Sequence, residues 1–274
     1  MGIFDRLWRN AKFRRLAGRD LIDDQLWEWA VGEHRIFRGM GPDDESRLRG
    51  LSGQFLATKR FDPVGGAEID DRLKVSVASQ ACLPLLGLDI SWYRGFSTIF
   101  ITPDAYTITQ RRTDEWGVVS EYEEEVAGEA FPMGPVALSI PDIDASGWGD
   151  GYNVVIHEMA HRLDGLDGAF DGRPPLHDDM DGSRWKTVFT EAWEDLNAKL
   201  QSSSVGGRAG RRGTSKKRVR IDPYAAESPD EFFAVVCEYF WERPSLLIRE
   251  YPAVYEQLKL FFRRDPSTWA TRGG

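Results

Sequence analysis

Residues 153–161 read Asn153-Val154-Val155-Ile156-His157-Glu158-Met159-Ala160-His161. Histidines four apart share one face of a helix, one turn from each other. Both can aim an imidazole nitrogen at a single point about 2 Å away, the distance at which zinc binds histidine. Glu158, offset by one residue, lies beside that point, where a carboxylate can hold a water and take its proton. Val154, Val155, Ile156, Met159 and Ala160 make the helix predominantly apolar and buried, so its three polar groups need partners. The chain has only four histidines, His34, His157, His161 and His177, and two of them fall in this motif.

Upstream, Gly147 to Gly151 (GWGDG) forms a turn that feeds the motif helix, with Asp150 or Asn153 available to cap it. Before the turn, residues 97–101, 106–109, 118–122 and 136–141 are rich in β-branched and aromatic residues and predict a small sheet of three or four strands. The segment 136–140, if it is a sheet edge, could pair with an extended peptide. The acidic stretch 121–129 reads as a solvated strand or loop. Residues 21–36, 42–55 and 70–86 carry helical spacing, with a turn region at 59–66, so the first 90 residues form a helical lobe.

Downstream, Asp164 to Pro175 is an Asp/Gly-rich loop without the residue order of a calcium-binding loop, and Gly165 ends the motif helix. Helices follow at 184–200, 228–240, 244–250 and 252–264. Ser228-Pro229-Asp230-Glu231 is a strong helix start: an N-cap serine, proline at the first helical position, then acids. Residues 201–220 hold seven basic residues, no acids and much Ser and Gly. Such a segment cannot bury a core and reads as a mobile basic insertion. The fold class is α+β: mainly helical, with a small mixed sheet packed beside the motif helix. Residues 1–90 form an N-terminal lobe and 91–274 the core, one compact unit overall.

Composition bounds the function. The 274 residues are 41% apolar, with a formal net charge of −9, which disfavours a general affinity for nucleic acid. The two cysteines, Cys82 and Cys237, form no disulfide framework, as in a reducing compartment. No apolar run approaches the roughly 20 residues that span a bilayer. The basic, amphipathic residues 1–20 lack a secretory pattern and read as a terminal helix docked on the body. These features together predict a cytoplasmic protein.

A catalytic zinc needs three protein ligands and one open position. A third histidine at short spacing is excluded, because Asp164 and Asp167 stand there. His34 and His177 are possible ligands, but neither lies on a strongly patterned helix. The best-placed residue is Glu231, at the start of an apolar helix whose stripe also contains Glu238, two turns on. Acids on an apolar face are costly unless compensated, but either could equally be a surface acid.

HEMAH followed by Arg162-Leu163-Asp164, with Asp222-Pro223-Tyr224-Ala225-Ala226, Glu231-Phe232-Phe233-Ala234-Val235 and Glu238-Tyr239-Phe240 later, resembles the Mlc titration factor A family. These are bacterial zinc metallopeptidases whose core is similar to the catalytic domain of anthrax lethal factor. The resemblance spans roughly residues 15–265 and implies a zincin-like fold binding one Zn2+ per chain. It implies His157, His161 and Glu231 as ligands, Glu158 as general base and Tyr224 as an active-site tyrosine that supports the oxyanion. It implies aminopeptidase-like hydrolysis of a peptide substrate and, as an alternative, a non-catalytic role in sequestering a glucose-responsive transcriptional repressor. Glu238 or Asp164 is expected to orient a histidine through its second nitrogen.

Overall fold

The computed structural model describes residues 22–104, 134–205 and 219–269, with the backbone of three strands between 106 and 130. The expected terminal helix in residues 1–20, and residues 206–218 of the expected insertion, lie outside the described residues.

The chain begins with α1 (Asp24–Glu33) and α2 (Pro42–Thr58), followed by β1 (Arg60–Pro63) and α3 (Asp71–Cys82). Capping sets the starts: Asp70 accepts the Leu73 N–H at 2.7 Å, and Pro42 occupies the first turn of α2. Next come β2 (Thr98–Thr102), β3 (Tyr106–Thr113), β4 (Val119–Val126), β5 (Gly128–Ala130) and β6 (Val136–Ser139). The short α4 (Ile140–Ala145) leads to the motif helix α5 (Val154–Asp164). The long α6 (Gly182–Val205) continues five residues into the segment read as an insertion. The chain closes with α7 (Pro229–Glu242), α8 (Pro244–Glu250) and α9 (Pro252–Phe262). Among the described residues, no helix is long and apolar enough to cross a membrane.

The fold is mainly helical α+β, with a four-stranded mixed sheet in the order β1-β2-β6-β5. β1, β2 and β6 run parallel, with Arg60 opposite Thr98 and Ile99 opposite Val136. β5 is antiparallel to β6, with Gly128 opposite Leu138. Three details differ from the sequence reading. The segment taken as a turn at 59–66 contains the outer strand β1, hidden because it is four residues long and ends in Pro63, a residue edge strands tolerate. β6 is interior, with every residue buried, and the edge falls to β5. β3 and β4 form a separate two-stranded sheet, with Gln110 opposite Tyr122, instead of joining the first; the acidic stretch supplies a strand there, one of the two forms expected of it.

A single hydrophobic cluster runs through the described residues from Ile22 to Trp269. At its centre α5 buries Val155, Ile156, Met159 and Leu163 against α7, which contributes Phe232, Phe233, Val236 and Phe240. Burying each such side chain is worth roughly 1.5–3 kcal/mol, which fixes α7 beside α5. Two glycines let the backbone pass where a side chain would not fit. Gly151, at φ 107°, enters α5 so close to Tyr239 that a Cβ would lie 2.6 Å from the ring. Gly172, at φ 76°, packs on the first turn of α7, where a Cβ would meet the Pro229 carbonyl at 2.4 Å. The Gly172 N–H donates to Asp164 Oδ2 at 2.9 Å, tying the last residue of α5 to the loop that packs against the first turn of α7.

Candidate metal centre

Asn153 caps α5, its Oδ1 accepting the Ile156 N–H at 2.9 Å. The helix then presents His157 and His161 one turn apart. Ser228 caps α7, accepting the Glu231 N–H at 3.3 Å, and so fixes Glu231 in the first turn. The capped helix starts bring three side chains together. His157 Nε2 lies 3.2 Å from His161 Nε2 and 3.1 Å from Glu231 Oε2, and His161 Nε2 lies 3.5 Å from Glu231 Oε1. One donor atom from each of the three residues falls within 4.8 Å of the others.

Glu238 accounts for the other side of His157. Its Oε1 is 2.8 Å from His157 Nδ1, and its Oε2 accepts the Asn153 N–H. That contact places a proton on Nδ1 and leaves the Nε2 lone pair pointing toward His161 and Glu231. Asp164 does not orient a histidine in this way: its Oδ2 accepts from Gly172, and burial raises its pKa to about 7.

This arrangement tests whether the residues fit a metal. Two imidazole lone pairs and a carboxylate that converge without a cation repel one another. Glu231 Oε2 is buried 3.1 Å from His157 Nε2, with no well-aligned hydrogen-bond partner among the described residues. Burial alone would raise the Glu231 pKa, but the two histidines overcome it and hold the carboxyl well below the usual carboxylate range. Burial works against the charged form of His157, yet Glu231 and Glu238 draw its pKa well above that of free imidazole. The centre thus demands positive charge, from a proton or from a divalent ion. Two imidazoles and a carboxylate form the donor set of a catalytic zinc site, and the residues fit it.

Glu158 is 1% exposed, and its Oε2 has no hydrogen-bond partner among the described residues. Burial raises its pKa, offset by the neighbouring His157 and His161. Tyr224 stands on a 3-10 turn, Pro223–Ala226, capped by Asp222, whose Oδ1 accepts the Tyr224 N–H at 2.9 Å. Its ring centroid is 6.0 Å from that of His157, and the residue is 42% exposed. Burial of the phenol and the Glu231 carboxylate push its pKa up, so it remains a neutral hydrogen-bond donor. His34 and His177 lie elsewhere: His34 Nε2 pairs with Ser76 Oγ at 2.9 Å, and His177 Nε2 donates to the Phe261 carbonyl at 2.8 Å.

A buried polar chain behind the centre escaped the sequence reading. Asn153 Nδ2 donates to Glu242 Oε1 at 2.8 Å and to Gln80 Oε1 at 2.7 Å. Gln80 Nε2 donates to Ser76 Oγ at 3.2 Å, and Ser76 meets His34. Glu242 was legible in principle, since 231, 238 and 242 share one helix face; Gln80 carried no such signal. Burial raises the Glu242 pKa from 4.5 to about 7, opposed by its bonds from Asn153 and Gly149. The unfolded chain releases this proton near pH 4.5 and the folded chain near 7, so the group costs stability progressively as pH rises across that interval. Glu242→Gln removes the linkage. Its stability relative to the parent chain should improve by on the order of 2 kcal/mol between pH 5 and pH 8, read from urea melts at both pH values.

Comparison with known proteins agrees with this picture. A family profile described as glucose-regulated metallo-peptidase M90 matches residues 6–263. Proteins named Mlc titration factor A are similar over most of their length. The one from Escherichia fergusonii is 31% identical over 250 residues, 91% of this chain and 89% of its own. The one from Edwardsiella ictaluri is 33% identical over 84% of each chain, and the one from Salmonella gallinarum is 32% identical over 91% of this chain and 90% of its own. With a matching profile along nearly the whole sequence and relatives of this closeness, the chain belongs to the glucose-regulated metallo-peptidase M90 family, together with the Mlc titration factor A proteins.

Proposed function

We propose that the protein is a cytoplasmic, zinc-dependent peptidase of aminopeptidase-like action, with His157, His161 and Glu231 holding one Zn2+. The observation that carries the reading is the approach of one donor atom from each of these residues to within 4.8 Å of the others, beside the buried Glu158. Bound there, zinc would supply Lewis acidity toward the scissile carbonyl and lower the pKa of water. Glu158 takes the proton of the attacking water and returns it to the leaving amine. The Tyr224 phenol donates a hydrogen bond to the developing oxyanion. Glu238 holds the His157 ring in the tautomer that leaves Nε2 free. β5, at the end of the sheet and packed near α5, offers an edge to which an extended peptide substrate can add.

The name shared by the relatives supports a second role, contact with the transcriptional repressor Mlc. Such contact need not use hydrolysis, and the two roles are compatible. The hydrolytic reading is tested by metal analysis of the purified chain, together with turnover of an unblocked tripeptide. We expect one zinc per chain, loss of turnover on chelation and recovery on adding zinc. Turnover that survives removal of all metal would overturn it.

A further inference from the structure

A cavity of about 550 Å³ opens between α1, α3 and α4, away from the histidine pair. Its walls are aromatic: Trp29 on one side and Trp148, which is substantially exposed, on another. Its rim carries the exposed carboxylates of Glu33, Glu68 and Asp144. Asp70 also reaches the rim, but its carboxylate caps α3. Among the described residues, no cation forms an ion pair with Glu33, Glu68 or Asp144. The one basic side chain in the cavity wall, Arg72, lies with its guanidinium carbon 5.1 Å from the centre of the Trp29 ring. The cavity thus already holds one guanidinium against one of its two indoles. At the floor, His34 is 5% exposed, and its Nε2 pairs with Ser76 Oγ at 2.9 Å. Its ring stands 5.9 Å from that of Trp148 and 6.4 Å from that of Trp29.

We propose that this cavity is a recognition site for an arginine or lysine side chain of a bound polypeptide. Arg72 covers the Trp29 ring, so Trp148 is the indole left to attract an incoming cation through its quadrupole, most strongly where water is partly excluded. The unpaired acids supply the matching field and reject anions. A phosphate would be repelled by the three rim carboxylates. Rim carboxylates alone contribute little, because solvent screens them, so the aromatic walls supply most of the affinity and the acids most of the sign selectivity. This site stands apart from the peptidase reading, since nothing in it uses the metal centre.

The test is calorimetric titration of the full chain with N-acetyl-argininamide, N-acetyl-alaninamide and N-acetyl-glutaminamide, each blocked at both ends. The arginine probe should bind at least about tenfold more tightly than the alanine probe, a margin within the range of a partly desolvated cation–π contact; the third, uncharged probe should resemble alanine. Trp148→Ala should weaken arginine binding by about tenfold, and the isosteric pair Glu33→Gln with Asp144→Asn should weaken it and flatten its salt dependence. Both variants change exposed side chains, and unchanged thermal melts would exclude misfolding. Equal affinity for all three probes, or full affinity in both variants, would overturn the proposal. Arginine binding that disappears when a chelator is added would do so too, because it would place the probe at the metal centre.

Discussion

Glu158→Gln should lower kcat/KM for peptide hydrolysis by roughly 10²–10⁴-fold, the usual contribution of a positioned general base, and leave metal content at one ion per chain. The substitution keeps the size of a buried side chain whose Oε2 has no hydrogen-bond partner among the described residues. It removes only the ability to take a proton. Because burial disfavours the charged form of Glu158, the variant should be at least as stable as the parent. Kinetics on a free tripeptide, metal analysis and a thermal melt read the three quantities separately. A variant with full turnover would remove Glu158 from the mechanism. If repressor contact is a separate activity, this variant should retain it.

Glu231→Ala should act on the other half of the site. It removes one of three proposed ligands, so the loss of zinc affinity should exceed the roughly 10–100-fold typical of outer partners such as Glu238. Zinc added to the parent chain should raise its melting temperature, since a ligand that binds only the native state stabilises it by mass action. The same zinc should barely move the variant. A chelator-buffered titration checks the affinity directly. If the variant holds zinc as tightly as the parent, the third ligand has been misassigned.

The sequence made the helical framework legible, because caps and proline starts are local signals. Asn153, Ser228-Pro229 and Asp70 mark their helices where the structure begins them. Helix patterning put Glu231 forward as the best-placed third ligand but left it equally readable as a surface acid; the family resemblance decided between them, since spacing within one helix says nothing about which face a second helix presents to it. The sheet was harder to read. β1 is short and ends in proline, and its strand character comes from pairing with β2, more than thirty residues later. The order of strands, which makes β6 interior and β5 the edge, is likewise a tertiary property that no local pattern encodes. Gln80 was invisible for the same reason: one amide on an apolar helix does not announce that it will meet Asn153.

The pairing of β1 with β2 and the contact of Gln80 with Asn153 together make the ligand-bearing half depend on the early part of the chain. A fragment that starts near residue 91 would keep every proposed ligand, yet one flank of β2 would be bare and the amide at the head of the histidine helix would lose a partner. Naked strand flanks recruit copies of themselves, so such a truncate is a candidate for clumping rather than a minimal peptidase. Protein engineers who want a smaller scaffold from this family would do better to trim elsewhere.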